Sequence, residues 1–217
     1  MSMQRVYSRN HMSIGRLATT ALAFGGLLAA AACASGGAAS GTYHPAPVGS
    51  GASWPGEPGG VHINVSLGER KLYLKNGGNV VESYTIGVGK PGYETPVGDY
   101  SIRTIIWNPP WNPPDEAWAA DKEPQPPGAA ENPMKTVKII FRDPDYYIHG
   151  TGNVETLGGA VSHGCLRMVP SEAAALARYL MDHGGASRNA AWFARVQSSN
   201  ETETVSLSSA IPMHVQN

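Results

Sequence analysis

Glycine and proline interrupt this chain so often that long helices have little room. The sequence holds 26 Gly and 17 Pro in 217 residues, a density that favours a turn-rich β fold over a helical bundle. Short patterned runs lie between the interruptions. "VHINVSL", Val61 to Leu67, alternates apolar and polar residues, the period of a strand with one buried face. "KLYLKNGG" and "NVVESYTIGVG" predict two more strands joined as a hairpin through Asn76, Gly77 and Gly78. "TPVGDYSIRTI", "KTVKIIF" and "DYYIH" predict further strands, the last running into His149. "PSEAAALARYLMDHGG" predicts a helix started by Pro170 and Ser171 and stopped by Gly184. Glu172 suits its positive end, and Leu176, Tyr179 and Leu180 give it one apolar face. "AAWFARV" predicts a shorter helix and "ETVSLSSAIPMHV" a closing strand. The expected architecture is a mainly β domain with one or two packed helices, not a βαβ series.

A formal net charge of −1 and the lack of a basic cluster give no footprint for nucleic acid. "WNPPWNPPDEAWAADKEPQPPGAAENP", Trp107 to Pro133, is too proline-rich for a helix interior or a central strand. Its length suggests function or disorder, and Trp107, Trp111 and Trp118 argue against disorder. Two readings stand: a flap over a cleft, or a loop packing its tryptophans on the sheet edge.

Residues 1–33 read as an export signal. Arg5, Arg9 and Arg16 form a positive n-region, and Leu17 to Ala32 a mostly apolar run, short for a membrane span. Ala31 and Ala32 before Cys33 fit a bacterial lipobox, whereas Ala30 stands where Leu is usual. Lipidation of Cys33 is the favoured expectation, and an ordinary cleaved signal is the alternative. Residues 34–60 carry no apolar periodicity and read as a Gly/Ser/Pro-rich linker, with the domain occupying 61–217.

If Cys33 carries lipid or leaves with the signal, Cys165 is the domain's one thiol. A thiol is mostly protonated at neutral pH, so a nucleophilic cysteine needs a base or a cation beside it. His149 and His163 flank Cys165 in sequence, and either could serve. In an extended segment His163 and Cys165 would share a face. Gly164 leaves the backbone open, so that main-chain N–H groups can point at an oxyanion. An inert buried cysteine and a zinc site built from His149, His163 and Cys165 stand as alternatives to the nucleophile.

"IHGTG" followed by "SHGCLRM" resembles the signature of the L,D-transpeptidases, the YkuD (ErfK/YbiS/YcfS/YnhG) domain. "INVSLGERKLYLKNGGNVVESYTIGVGK", "ETPVGDYSI" and "NPMKTVKIIF" extend that resemblance in the same order, from Val61 to Pro170. The resemblance implies a β-sandwich-like catalytic domain acting on peptidoglycan stem peptides. It implies Cys165 as nucleophile, His149 as general base, and His163 as a pocket residue that can hydrogen-bond the tetrahedral intermediate. The Gly150 carbonyl would orient His149, and N–H groups near Gly164 and Cys165 would form the oxyanion hole. Ser162 and Arg167 fall on the substrate side. The implied reaction is acyl transfer from the meso-diaminopimelate carbonyl of a tetrapeptide stem, releasing D-Ala. The acceptor would be a stem-peptide amine or an envelope protein's lysine, with water as the alternative that makes a carboxypeptidase. Protein detachment and an inactive peptidoglycan-binding lipoprotein are further alternatives. No metal or organic cofactor is implied, and the expected location is the periplasm or cell envelope, with a membrane anchor through Cys33.

Overall fold

The computed structural model describes residues 56–217. The signal, the lipobox cysteine Cys33 and residues 34–55 of the linker lie outside the described residues. Of the linker's last residues, Glu57 is held on the domain: its carboxylate pairs with Lys75 and lies 2.9 Å from His62 Nε2.

The strands run in chain order as β1 (Val61–Ser66), β2 (Lys71–Asn76), β3 (Asn79–Thr85), β4 (Val88–Gly89) and β5 (Gly98–Trp107). Then come β6 (Val137–Arg142), β7 (Tyr146–Gly150), β8 (Ala160–Ser162) and β9 (Leu166–Met168). Helices α1 (Pro170–His183) and α2 (Ala190–Ser198) precede β10 (Glu203–Gln216). Eight strands form one sheet in the order β3-β2-β1-β10-β5-β6-β7-β9, and β4 pairs with β8 in a second, two-stranded sheet. The large sheet nearly closes. Just past its edge strand β3, Gly87 exchanges both backbone hydrogen bonds at 2.9 Å with Arg167 in β9, the opposite edge. Neither edge is therefore left open over that stretch, which removes a template for unwanted pairing.

The mainly β expectation with two helices holds, with three differences of detail. Strand β10 is not peripheral: it lies between β1 and β5, parallel to the first and antiparallel to the second. Nearest-neighbour reading of the sequence has no signal for so non-local a pairing. Strand β1 is buried on both faces, His62, Asn64 and Ser66 included, so its alternation marks the strand but not a solvent side. Trp107 belongs to β5 and to the core, fully buried, its Nε1 donating to Met181 Sδ at 3.3 Å.

Helix α1 packs on β6, β7 and β10. Proline at its first turn costs nothing, because that N–H has no helical partner. Its Ala173, Leu176, Ala177, Leu180 and Met181 are buried, while Tyr179 of the predicted apolar face is only partly so. Deleting a side chain such as Leu176 would cost about 2–5 kcal/mol. Asn189 caps α2, its side chain accepting from the Trp192 N–H at 2.9 Å. The helices thus hold one face of the sheet, and the other face is free for a site.

Candidate active site

That second face is built from one transverse row of paired residues. Thr204 in β10 faces Ile106 in β5, Ile106 faces Lys138 in β6, Lys138 faces His149 in β7, and His149 faces Arg167 in β9. Directly paired residues point to the same side of a sheet. All five line a cavity of about 880 Å³, together with Cys165.

The roof of the cavity is the Trp/Pro-rich segment, with Trp111, Trp118, Pro113 and Pro114 among its lining. Buried asparagines fix the segment's two ends. Asn108, at φ 45°, donates to the Val196 and Ser199 carbonyls and accepts from Thr202. Asn132 donates to the Pro109 and Pro126 carbonyls and accepts from the Met134 N–H. Of the two sequence readings, the flap over a cleft describes Trp111 and Trp118. Neither asparagine was singled out in the sequence, where each resembles an ordinary turn residue.

The cysteine loop joins the two sheets. Ser162 ends β8 in the small sheet and Leu166 opens β9 in the large one. Between them Gly164 takes φ +107°, and a Cβ there would sit 2.7 Å from Tyr146 Cε1. This bend removes the expectation that His163 and Cys165 share a face as an extended pair. Two hydroxyls pin the bend. Ser162 Oγ accepts from the Gly164 N–H at 3.1 Å and donates to the Cys165 carbonyl at 2.6 Å. Thr95 Oγ1 donates to the Gly164 carbonyl at 2.8 Å and accepts from the Gly89 N–H at 3.0 Å.

Those bonds decide which amide is available. The Gly164 N–H is committed to Ser162, and the Ser162 hydroxyl is committed to the loop. The Cys165 N–H has no protein acceptor among the described residues. In a trans peptide the carbonyl and the following N–H point in opposite directions. The Gly164 carbonyl is turned toward Thr95, so the Cys165 N–H is turned away from it.

The Cys165 thiol is half-buried and lies 3.3 Å from the Asp145 carbonyl, to which it donates. Burial pushes it up to about 11, against a downward pull from the Tyr147 amide and the Lys138 and Arg167 cations. His149 is buried, with Nδ1 2.6 Å from the Gly150 carbonyl. A carbonyl only accepts, so Nδ1 carries the proton and Nε2 is the basic nitrogen. Burial depresses the ring to about 4, and the Arg167 and Lys138 charges add to this, while the Gly150 and Pro133 carbonyls oppose it. At neutral pH the site holds a thiol and a neutral imidazole.

His163 sits between two aromatic rings. Trp118 stacks on it at 3.8 Å and 7° between planes, and Tyr93 meets it edge-on at 4.6 Å. Burial first, then the Lys90 and Arg167 charges, lower its pKa. Cys165, His149, His163, Ser162 and Arg167 thus share one cavity, and Gly150 and Gly164 contribute backbone beside it. Sequence reasoning missed Lys138 and Thr95, since a lysine in a strand and a threonine before proline carry no spacing signal.

The fold and this site define a cysteine–histidine cavity on a nearly closed sheet, and comparison with known proteins places it. The L,D-transpeptidase catalytic domain family, YkuD, matches residues 60–191. The chain belongs to that family, whose members act on peptidoglycan in the cell envelope. It is 32% identical over 107 residues to the Bacillus subtilis protein named as the L,D-transpeptidase YkuD, covering 49% of this chain and 52% of that one. It is 34% identical over 116 residues to Escherichia coli YbiS, also named as an L,D-transpeptidase, covering 50% of this chain and 37% of that one. The chain thus spans about half of one curated relative's length and about a third of the other's. A solved L,D-transpeptidase from Mycobacterium smegmatis superimposes with a TM-score of 0.46 at 17% identity, over 72% of this chain and 58% of that one.

Proposed function

We propose that this chain is an exported L,D-transpeptidase that transfers an acyl group from a peptidoglycan tetrapeptide stem to an amine through a thioester on Cys165. The observation that carries this reading is the placement of Cys165 in one cavity with His149, whose Nδ1 proton is held by the Gly150 carbonyl. That leaves His149 Nε2 as the base.

In this reading the thiol turns from Asp145 toward His149. Sulfur attacks the carbonyl carbon of the diaminopimelate residue as the thiol proton passes to His149 Nε2. With the thiol near 11 and the imidazole near 4, a resting ion pair is disfavoured. Proton transfer therefore accompanies S–C bond formation, and the negative charge appears on the substrate oxygen. In this reading the Cys165 N–H, which has no protein acceptor among the described residues, donates to it, with His163 at the pocket wall. The imidazolium returns its proton to the leaving amide nitrogen, D-Ala departs, and the thioester remains. An acceptor amine then gives up a proton to His149, attacks the thioester and restores the thiol. The carbonyl needs no metal or organic cofactor. The acceptor is a second stem peptide, forming a 3-3 cross-link, or an envelope protein's lysine. Residues 1–33 act as the export signal with Cys33 lipid-modified, and residues 34–60 tether the domain to the membrane.

The test is incubation of the protein with tetrapeptide muropeptides and mass analysis of the products. Released D-Ala together with a cross-linked dimer is expected, lost in Cys165→Ala and slowed about 10²–10⁴-fold in His149→Ala. Cleavage that persists in Cys165→Ala would sink the thioester. A carbapenem, a strained acyl donor, is expected to leave one covalent adduct on Cys165.

A further inference from the structure

We propose that Lys138 and Arg167 form a carboxylate subsite beside Cys165 that takes the free C-terminal carboxylate of the acyl donor's leaving residue. This inference rests on the transpeptidase reading and deepens it by assigning a residue that determines which donors are accepted.

Two cations of the cavity make no ion pair among the described residues. Lys138 and Arg167 stand in the same transverse row, one on each side of His149. Strand spacing puts their backbones roughly 10 Å apart, and both side chains line the cavity that holds the thiol. Both are half-buried. Yet neither has a carboxylate within 4.0 Å or a hydrogen-bond acceptor among the described residues. Lys75, a buried cation elsewhere in the domain, is by contrast paired with Glu57.

The Lys138 ammonium rests 3.7 Å from the centre of the Tyr147 ring, a contact that holds a cation without using its N–H donors. Of the acids lining the cavity, Glu116 accepts from Trp118 Nε1 at 2.8 Å. Asp145 offers its backbone carbonyl to the thiol, and neither its carboxylate nor those of Glu123 and Glu131, which also line the cavity, comes within 4.0 Å of either cation. Partly buried charges without partners are costly and call for an anion. Burial pulls both cations below their ordinary values; Cys165, Asp145 and Asp143 oppose this at Lys138, and Cys165 is the one acid acting on Arg167.

The donor's chemistry supplies the anion. In a stem ending one residue past the scissile amide, the free carboxylate lies just beyond the amide nitrogen and its α-carbon. With the carbonyl carbon at Cys165 Sγ, that carboxylate falls among the side chains flanking His149. Lys138 and Arg167 would then read the end of the peptide. A donor that continues past that residue offers a neutral amide there and leaves both cations unpaired.

Two experiments on the full chain separate this inference from the reading beneath it. The first compares tetrapeptide donors ending in a free acid or in a carboxamide. The acid is expected to be preferred about ten- to hundredfold in kcat/KM, a preference lost in Lys138→Gln and kept in Lys138→Arg. The second needs no turnover: Cys165 is alkylated with anionic iodoacetate and neutral iodoacetamide, and the ratio of rates is compared between wild type and Lys138→Gln. The ratio is expected to fall in the variant, because a change in thiol basicity alone would move both rates together. An unchanged ratio overturns the subsite, even if D-Ala is released normally. A falling ratio with no cleavage of either donor supports the subsite and removes the transpeptidase reading.

Discussion

The Thr95 hydroxyl reaches across 69 positions of sequence to donate to the Gly164 carbonyl at 2.8 Å. The same oxygen accepts from the Gly89 N–H, so one buried side chain ties the β4 segment to the cysteine loop. Thr95→Val keeps the shape and removes both bonds, leaving two backbone groups unsatisfied at a cost of about 1–3 kcal/mol each. The Gly164–Cys165 peptide then loses the contact that sets its direction. We expect a lower melting temperature and a larger loss in kcat than in KM, with Thr95→Ser recovering both. Full activity in Thr95→Val would mean that Ser162 alone sets the loop.

Thiol reactivity gives a second prediction. Burial holds Cys165 near 11, so the thiolate is scarce at neutral pH. The iodoacetamide rate is expected to be slow at pH 7 and to keep rising beyond pH 9, where an ordinary thiol levels off. Stopped-time mass spectrometry across pH 7–11 checks this. A plateau below pH 8 would point to a resting thiolate–imidazolium pair instead.

What the sequence disclosed and what it concealed divide along a physical line. The hairpin through Gly77, helix α1 and the strand leading into His149 are local patterns, and local pattern is what one sequence displays. The motif residues His149, His163 and Cys165 were legible because their chemistry is unusual in so glycine-rich a setting. Pairing of β10 between β1 and β5 depends on contacts 96 to 150 positions apart, which periodicity cannot express. Lys138 shows the same limit. Its importance arises from facing His149 across a strand pair, and that register is a property of the sheet. The Gly164 N–H looked available in the sequence, and only the position of the Ser162 hydroxyl takes it.

His149 also writes itself into the pH dependence of stability. Its folded pKa near 4 lies below the ordinary 6.5 because the ring is buried neutral. Between those values the unfolded chain binds a proton that the folded chain does not. Stability therefore rises with pH through that window, and is lost as pH falls from about 6.5 toward 4. The full difference amounts to about 3 kcal/mol. Melting temperature should fall on acidification, and His149→Gln should show a flatter profile over the same range. Parallel profiles for wild type and variant would mean that His149 takes up its proton in the folded protein over the same pH range as in the unfolded chain.

The last prediction concerns the roof of the cavity. Trp118 lies on the His163 ring at 3.8 Å, nearly parallel, with its Nε1 anchored on Glu116. A stack of this kind is worth about 0.5–1.5 kcal/mol beyond the area it buries. It also shields the imidazole from water, and burial is the leading cause of His163's lowered pKa. Removing the ring in Trp118→Ala should therefore shift the His163 titration upward, toward 6.5, by restoring solvent to the charged form. Trp118→Phe keeps a flat ring over the imidazole and should shift it less. The His163 ring-proton resonance followed by NMR against pH reads this directly, with His163→Gln to assign it. Because the same indole lines the cavity, Trp118→Ala should also raise KM for the donor. An unmoved His163 titration in Trp118→Ala would mean that Tyr93 and the cysteine loop, rather than the roof, keep the ring dry.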